Sequence, residues 1–73
     1  MELGGEMEAT DDDMQAQEIR LAATTMGFAI TSLRVTTEGQ YLVDFVDHTR
    51  RSQQFGPGSM ERISSLIYLH GLP

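Results

Sequence analysis

The spacing of hydrophobic residues along the chain changes from helical to strand-like and back to helical. In the first segment, apolar residues recur at intervals of three and four, which predicts one buried face of an α-helix. These residues are Ile19, Ala22, Ala23 and Met26. Three aspartates precede the segment and Gly27 follows it, and both features are typical of helix ends. We therefore predict a first helix from Met14 to Met26.

Between Phe28 and Phe55, apolar and polar residues alternate, which is the pattern of β-strands. The alternation changes phase at Thr31 and Ser32, so we predict a β-bulge or bend there, because one extra residue restores a common face. A three-residue loop, Thr37-Glu38-Gly39, keeps the apolar side chains of the first two strands together. The shared face holds Leu33, Val35, Tyr41, Val43 and Phe45. A short polar third strand is predicted from Arg51 to Phe55.

Helical spacing returns after Gly56-Pro57-Gly58, a triplet that we expect to end the third strand. Ser59 is a typical N-cap, and a second helix is predicted from Met60 to His70. The predicted fold class is α+β: a helix, a three-stranded antiparallel meander and a helix, with both helices on the apolar face of the sheet. A single small domain would then cover residues 13–73.

Charge is distributed unevenly along the chain, whose formal net charge is -6. Seven acidic residues precede the first basic residue, Arg20. From Arg20 to the end, the chain contains five arginines and four acidic residues. Residues 1–12 contain too little apolar surface to offset the entropy of ordering, so we assign them to a disordered acidic tail. The small number of cations disfavours direct binding of nucleic acid, because affinity for phosphates depends on neutralising them. A basic protein surface is the better partner for this tail.

Candidate catalytic and metal-binding features have simpler interpretations. The chain has no cysteine, which excludes disulfides and thiolate metal sites. The run Asp11-Asp12-Asp13 could hold a hard cation, but no calcium-loop spacing follows it, and capping of the first helix is the favoured interpretation. Gly56-Pro57-Gly58 lacks the lysine and spacing of a phosphate-binding loop. Because His48 and His70 belong to no catalytic or metal-binding pattern, we predict a protein that is not an enzyme and binds no cofactor.

Hydropathy gives an expectation about compartment. Nowhere do about 18 apolar residues follow one another, and the first residues have neither the basic start nor the apolar run of a signal peptide. We therefore expect a cytoplasmic protein without membrane contact. An absence of cysteine is compatible with this expectation.

The face of the predicted sheet that points away from the helices is mixed in character. It combines Leu42 and Val46 with Arg34, and the only basic pair of the chain, Arg50-Arg51, lies in the turn that follows. Such a face can bind a partner protein. The candidate partner-binding residues are therefore Arg34, Leu42, Val46, Arg50 and Arg51. The alternative is a half-exposed strand surface whose turn arginines are solvated or pair with Asp44 or Asp47.

Two resemblances of element order favour a second alternative, a nucleic-acid-binding module. The order of helix, three strands and helix resembles that of double-stranded RNA-binding domains, whose RNA contacts use basic residues in a strand-connecting loop and at the start of the last helix. Residues 56–62 hold a single base there, Arg62. Residues 41–61 also resemble the three-strand-plus-helix DNA-binding modules of phage integrases. This alternative would use Arg34, Arg50, Arg51 and Arg62.

As a whole chain, this small acidic-tailed sequence without cysteine or active-site motif resembles small phage-encoded regulators that bind bacterial RNA polymerase. The resemblance implies binding to the polymerase in the host cytoplasm, inhibition of sigma-dependent transcription initiation, and an effect on termination. It implies neither a particular subunit nor an oligomeric state. A further alternative is an anti-defence inhibitor whose acidic tail mimics nucleic acid.

Overall fold

A computed structural model describes residues 6–72, which form one four-stranded antiparallel sheet and two helices. The elements are β1 (Glu6–Glu8), α1 (Met14–Thr25), β2 (Ala29–Thr36), β3 (Tyr41–Val46), β4 (Ser52–Gly58) and α2 (Met60–Gly71). The strands lie side by side in chain order, β1-β2-β3-β4. The α+β class predicted from the sequence is therefore confirmed, whereas the number of strands is not.

The additional strand, β1, lies within the segment that the sequence assigns to a disordered tail. Glu6 pairs with Thr36 of β2, and just beyond the strand the Ala9 N–H donates to the Leu33 carbonyl over 2.8 Å. Ala9 is buried against the core. These contacts offset the ordering entropy, and residues far along the chain supply them, so local composition does not reveal them. Residues 1–5 of the predicted tail lie outside the described part of the chain.

The apolar face of the sheet and the apolar faces of both helices enclose one hydrophobic core. Its largest fully buried side chains are Phe45, Ile19, Leu33, Ile63, Ile67 and Val43. This confirms the predicted strand face and the predicted helix stripes. Both helices are 12 residues long. Within residues 6–72 no helix is long and apolar enough to cross a membrane.

The two helices run in the same direction across the sheet. They begin at the end of the sheet near Tyr41, which contacts the α1 N-cap Asp13 and pairs with Gly58, the residue just before the α2 N-cap. They end near Phe28, whose ring lies 5.6 Å from that of His70. One end of the molecule therefore holds both helix starts, and the opposite end holds both helix ends.

The predicted bulge and hairpin loop are both present. The register shifts between Ile30, which pairs with Phe45, and Ser32, which pairs with Asp44, so that Thr31 is the extra residue. Gly39 has a φ of +82° in the β2–β3 turn, a conformation that glycine adopts without steric cost. This turn gives the register that places the apolar residues of the two strands on one face.

The third predicted strand is longer in the structure than in the prediction. We expected it to end at Phe55, but β4 continues through Gly58, which pairs with Tyr41 after a second register shift. Gly56 makes this possible, because a Cβ at this position would overlap the Tyr41 carbonyl oxygen and approach the Leu42 Cα within 3.2 Å. The absence of a side chain lets β4 approach β3 closely.

Candidate partner-binding surfaces

The outer face of the sheet is held together by Arg34, one of the five residues predicted to contact a partner. Its guanidinium lies between two acids: Nη1 donates to Glu6 Oε1 over 2.6 Å, and Nη2 donates to Asp44 Oδ2 over 3.1 Å. These ion pairs connect β1, β2 and β3. A partner carboxylate would have to displace one of them, so Arg34 is a weaker contact candidate than its position in the sequence indicates.

The two apolar candidates on this face, Leu42 and Val46, do not form a continuous patch. Leu42 is buried, with 8% of its surface exposed, and the Gly56 backbone lies close to its Cα. Val46 is partly exposed and lies four residues further along β3, about 13 Å away at 3.3 Å per residue. Asp44 lies between them. The outer face therefore offers a partner little apolar area, although a binding role for these residues stays a prediction.

The basic pair Arg50-Arg51 lies in the β3–β4 turn, and both residues are exposed. Arg50 adopts the left-handed conformation with a φ of 68°. Neither guanidinium forms an ion pair with any residue between positions 6 and 72. The alternative pairing with Asp44 or Asp47 does not form, because Asp44 binds Arg34 and Asp47 accepts the backbone N–H of Arg51 over 3.0 Å.

Asp47 is a buried carboxylate with an extensive set of hydrogen-bond partners, and the sequence did not single it out. Its Oδ1 accepts the Thr49 hydroxyl over 2.6 Å, the Thr49 N–H over 2.9 Å and the Arg51 N–H. Its Oδ2 accepts the Gln53 amide over 3.3 Å and lies 3.0 Å from His70 Nε2. The Thr49 hydroxyl, and after it the His70 ring, hold the pKa of Asp47 well below its usual range, although burial opposes them.

Three phenylalanines surround the His70 ring, which belongs to α2. Its centroid lies 5.6 Å from that of Phe28, 5.9 Å from that of Phe45 and 5.8 Å from that of Phe55, all in edge-to-face geometry. The cluster fixes the end of α2 to the β3–β4 turn. Two signals in the sequence could have indicated it: a histidine in the apolar stripe of a helix, and an Asp two residues before a Thr, which is typical of a side-chain-capped turn.

At the opposite end of the sheet, Asp13 performs the capping role predicted for the aspartate run. Its Oδ1 accepts the N–H groups of Gln15 and Ala16, over 3.0 and 3.2 Å. Its Oδ2 accepts the Tyr41 hydroxyl over 2.6 Å, which lowers the pKa of Asp13. Burial, followed by the contact with Asp13, raises the pKa of Tyr41 to about 12.

Between residues 6 and 72 no three His, Asp or Glu residues lie close enough to hold a metal ion.

The outer side of α2 carries apolar residues that the fold leaves exposed. Leu69 is 65% exposed, Leu72 is 61% exposed, and Leu66 is partly exposed on the same side of the helix. A shallow depression on this side is lined by Ser59, Glu61, Arg62, Ser65, Leu66 and Leu69. We call this side of the helix the α2 surface. The sequence prediction missed it, because Leu69 and Leu72 lie outside the stripe that packs on the sheet.

The order α1-β2-β3-β4-α2 is the one predicted from the hydrophobic pattern, with β1 as an addition. At the start of α2, where the resemblance to double-stranded RNA-binding domains implies basic residues, Glu61 lies beside Arg62. Comparisons with protein-family models, curated proteins and solved structures gave no match to this chain. The function therefore has to be inferred from its own residues.

Proposed function

We propose that this chain is a non-enzymatic regulator that binds a partner protein through the α2 surface. The observation that carries the proposal is the exposure of Leu69 and Leu72 beside the partly exposed Leu66. Leu66 and Leu69 lie three residues apart, so they are neighbours on one side of the helix, and Leu72 follows directly after the helix as its C-cap. Contiguous exposed apolar side chains on a helix are typical of a helix that docks against another protein.

The geometry around His70 supports a structural role for the Asp47–His70 pair and so favours the non-enzymatic interpretation. In a catalytic arrangement, the histidine accepts the proton of a nucleophile and the carboxylate orients the histidine. Here the Thr49 hydroxyl donates to Asp47 and not to His70, so it is not aligned for deprotonation by the histidine. The His70 ring instead packs among three phenylalanines.

The partner that we propose is bacterial RNA polymerase, with inhibition of sigma-dependent initiation and an effect on termination as the consequences. The proposal rests on the whole-chain resemblance to phage-encoded polymerase regulators, and it includes action in the host cytoplasm. Surface charge is compatible with it: Glu6 and Glu8 lie in the edge strand β1, and the exposed Asp11 and Asp12 follow them. An acidic edge of this kind increases the rate of association with a basic protein surface.

The test is binding to purified polymerase by the full chain and by matched leucine variants. Wild-type protein should co-elute with polymerase on gel filtration at low salt and should reduce promoter-directed transcription. Leu69→Ser combined with Leu72→Ser should abolish both effects. Leu21→Ser is the control, because Leu21 is 56% exposed on α1, away from the α2 surface. A lack of any complex excludes polymerase as the partner, and equal binding by all three proteins excludes the α2 surface.

A further inference from the structure

The two edges of the sheet differ in length and in charge. One edge is β1, which has three residues, and two of them are glutamates. The other edge is β4, which has seven residues and no charged side chain: Ser52, Gln53, Gln54, Phe55, Gly56, Pro57 and Gly58. Natural proteins protect an edge strand with charge, by shortening it, or with a proline or a bulge. β1 is short and charged, whereas β4 has Pro57 and a register shift near its end and none of these protections from Ser52 to Phe55. The charged residues nearest to β4 in the chain lie before Ser52 or after Gly58.

The backbone of β4 presents hydrogen-bonding groups to the open edge. The Asp47 N–H donates to the Arg51 carbonyl over 2.9 Å, so these two residues form a hydrogen-bonded pair of the antiparallel ladder. Such pairs alternate with pairs that are not hydrogen-bonded, and in the observed register the next of the latter kind contain Ser52 and Gln54. The N–H and C=O groups of Ser52 and Gln54 therefore point away from β3. No strand within residues 6–72 pairs with them.

Arginines lie at both ends of this edge. Arg50 and Arg51 precede β4, and the Arg62 side chain lies beside its last residue, Gly58. All three arginines are exposed, and none of them forms an ion pair with another described residue. Of the nearby acids, Asp44 is bound to Arg34 and Asp47 is buried, which leaves Glu61 as the exposed carboxylate beside Arg62. The edge is therefore bordered by positive charge.

An apolar strip lies along the helical side of the same edge. Arg62 is next to Gly58 of β4, and the His70 ring lies 5.8 Å from the Phe55 ring of β4. Leu66 lies four residues from each of them on α2, so it occupies the same helix face and is directed toward β4. Leu66 and Phe55 are both partly exposed. A strand added beside β4 would cover them with every second side chain.

We propose that the open edge of β4 binds an extended acidic segment of the partner protein, which adds to the sheet as a fifth strand. Its backbone would pair with Ser52 and Gln54, an apolar side chain would cover Leu66, and acidic side chains would lie near the arginines. The regular part of the edge, from Ser52 to Phe55, is about 10 Å long, enough for a segment of about four residues. This inference rests on the proposed protein-binding function and specifies the chemistry of the partner.

The same observations disfavour two other occupants. Phosphates are hydrogen-bond acceptors, so a nucleic acid would leave the edge carbonyls of Ser52 and Gln54 facing negative charge, whereas a peptide strand offers them N–H donors. A second copy paired through its own antiparallel β4 edge would bring Arg51 of one copy toward Arg62 of the other. Repulsion between these like charges opposes that dimer.

The experiment is a titration of the full chain with blocked ten-residue peptides, followed by the amide chemical shifts of the protein. One peptide alternates valine with glutamate, a second alternates valine with lysine, and a third is the glutamate peptide with an N-methyl group on every backbone amide, which blocks both of its edges. The glutamate peptide should shift the amides of Ser52 and Gln54. The lysine and N-methylated peptides should each bind at least about tenfold more weakly. A single-stranded oligo-dT is the fourth probe.

Two variants locate the site on the protein. Gln54→Pro removes the outward N–H of an edge position at which proline is tolerated, and it should abolish binding of the glutamate peptide. Arg51→Glu combined with Arg62→Glu should reverse the preference toward the lysine peptide. Circular dichroism of each variant checks its folding, and if Gln54→Pro is unfolded, the N-methylated peptide decides whether backbone pairing is required.

Several outcomes would overturn the edge proposal: equal affinity for the two charged peptides, unchanged affinity for the N-methylated peptide, or tighter binding of oligo-dT. Dimerisation of the free protein that is abolished by Gln54→Pro would assign the edge to a second copy. The peptides do not depend on the natural partner. Peptide binding without a polymerase complex would therefore refute the polymerase proposal alone, and the reverse result would refute the edge alone.

Discussion

At each end of the helical layer, an aspartate forms hydrogen bonds both to nearby residues and to a residue far along the chain. At the end where the helices begin, Asp13 uses one oxygen for the local cap of α1 and the other for the distant Tyr41 hydroxyl. At the end where they finish, Asp47 uses one oxygen for the β3–β4 turn and the other for Gln53 and His70. The difference is burial, since Asp47 is 7% exposed whereas Asp13 is partly exposed. Water can replace lost partners at Asp13 far more easily.

The largest effect is expected from Asp47→Ala. It removes the acceptor of two backbone N–H groups, a hydroxyl, an amide and the His70 ring nitrogen at once, and a buried donor without a partner is costly. The loss of stability should be roughly twice that of Asp13→Ala or more. Urea unfolding followed by circular dichroism measures both.

Asp47→Asn is the control that separates the two functions of this carboxylate. The asparagine oxygen can still accept the Thr49 and Arg51 donors, whereas its amide group would face the Gln53 amide and His70. Its stability should therefore lie between those of wild type and Asp47→Ala. If Asp47→Asn is as stable as wild type, the negative charge of Asp47 contributes nothing to the contact between α2 and the turn.

Lowering the pH should weaken the hydrogen bonds of both Asp13 and Asp47. Protonation of Asp47 should cause the larger part of the loss of stability. A carboxyl group whose pKa is lower in the folded state than its ordinary value of 3.8 stabilises the fold above that pH, and this stability is lost as the pH falls through and below it. The unfolding free energy should therefore fall as the pH is lowered from 5 to 2. In Asp47→Asn this decrease should be smaller. An equally steep decrease in wild type and Asp47→Asn would assign the acid sensitivity to other carboxylates.

Raising the pH should destabilise the protein through ionisation of the Tyr41 hydroxyl. A phenol whose pKa is raised in the fold from 10.0 to about 12 stabilises the fold below pH 10, and this contribution is lost as the pH rises from 10 toward 12. Tyr41→Phe should make unfolding less dependent on pH across this range. Ultraviolet absorbance at the phenolate wavelength gives an independent check, because Tyr41→Phe removes the phenol whose pKa is raised to about 12.

Asp13→Ala is expected to have an intermediate effect. Loss of an N-cap aspartate typically costs about 1 kcal/mol, and in this variant the Tyr41 hydroxyl also loses its acceptor. Tyr41→Phe leaves the cap in place and should cost less than Asp13→Ala. The difference in unfolding free energy between the two variants, measured in urea, gives the contribution of the helix cap alone. A larger loss in Tyr41→Phe would mean that the long-range hydrogen bond, not the cap, is the main contribution at this end.

The parts of the fold that the sequence predicts correctly depend on neighbours in the chain. The α1 cap needs residues two and three positions away, and the bulge at Thr31 and the Gly39 turn follow from alternation within one hairpin. The missed features depend on residues far apart. The Arg34–Glu6 contact that supports β1 spans 28 positions, and the Asp47–His70 contact spans 23. The local pattern can indicate that His70 and Asp47 have structural roles, but it does not show which distant residues pair.

The same reasoning explains the candidate surfaces. Exposure of Arg50 and Arg51 follows from a turn, and a turn is a local feature. The continuation of β4 past Phe55 could not be predicted, because it requires the close approach of Gly56 to the backbone of Tyr41 and Leu42, which are distant in the sequence. The α2 surface was not predicted, because Leu69 and Leu72 lie outside the stripe that packs on the sheet, and their exposure together is a property of the folded structure.

The smallest effect is expected from Arg34→Gln, on the outer face between the two fastened ends. Its ion pairs with Glu6 and Asp44 are partly exposed, so the net contribution should be at most about 1 kcal/mol. Salt screens such pairs, and the stability difference from wild type should therefore shrink between low and high ionic strength in urea unfolding. Thr36→Ser, on the same strand and without a charge, is the matched control. A loss that matches Asp13→Ala and persists at high salt would show that the outer face fastens β1 as firmly as the aspartates fasten the helices.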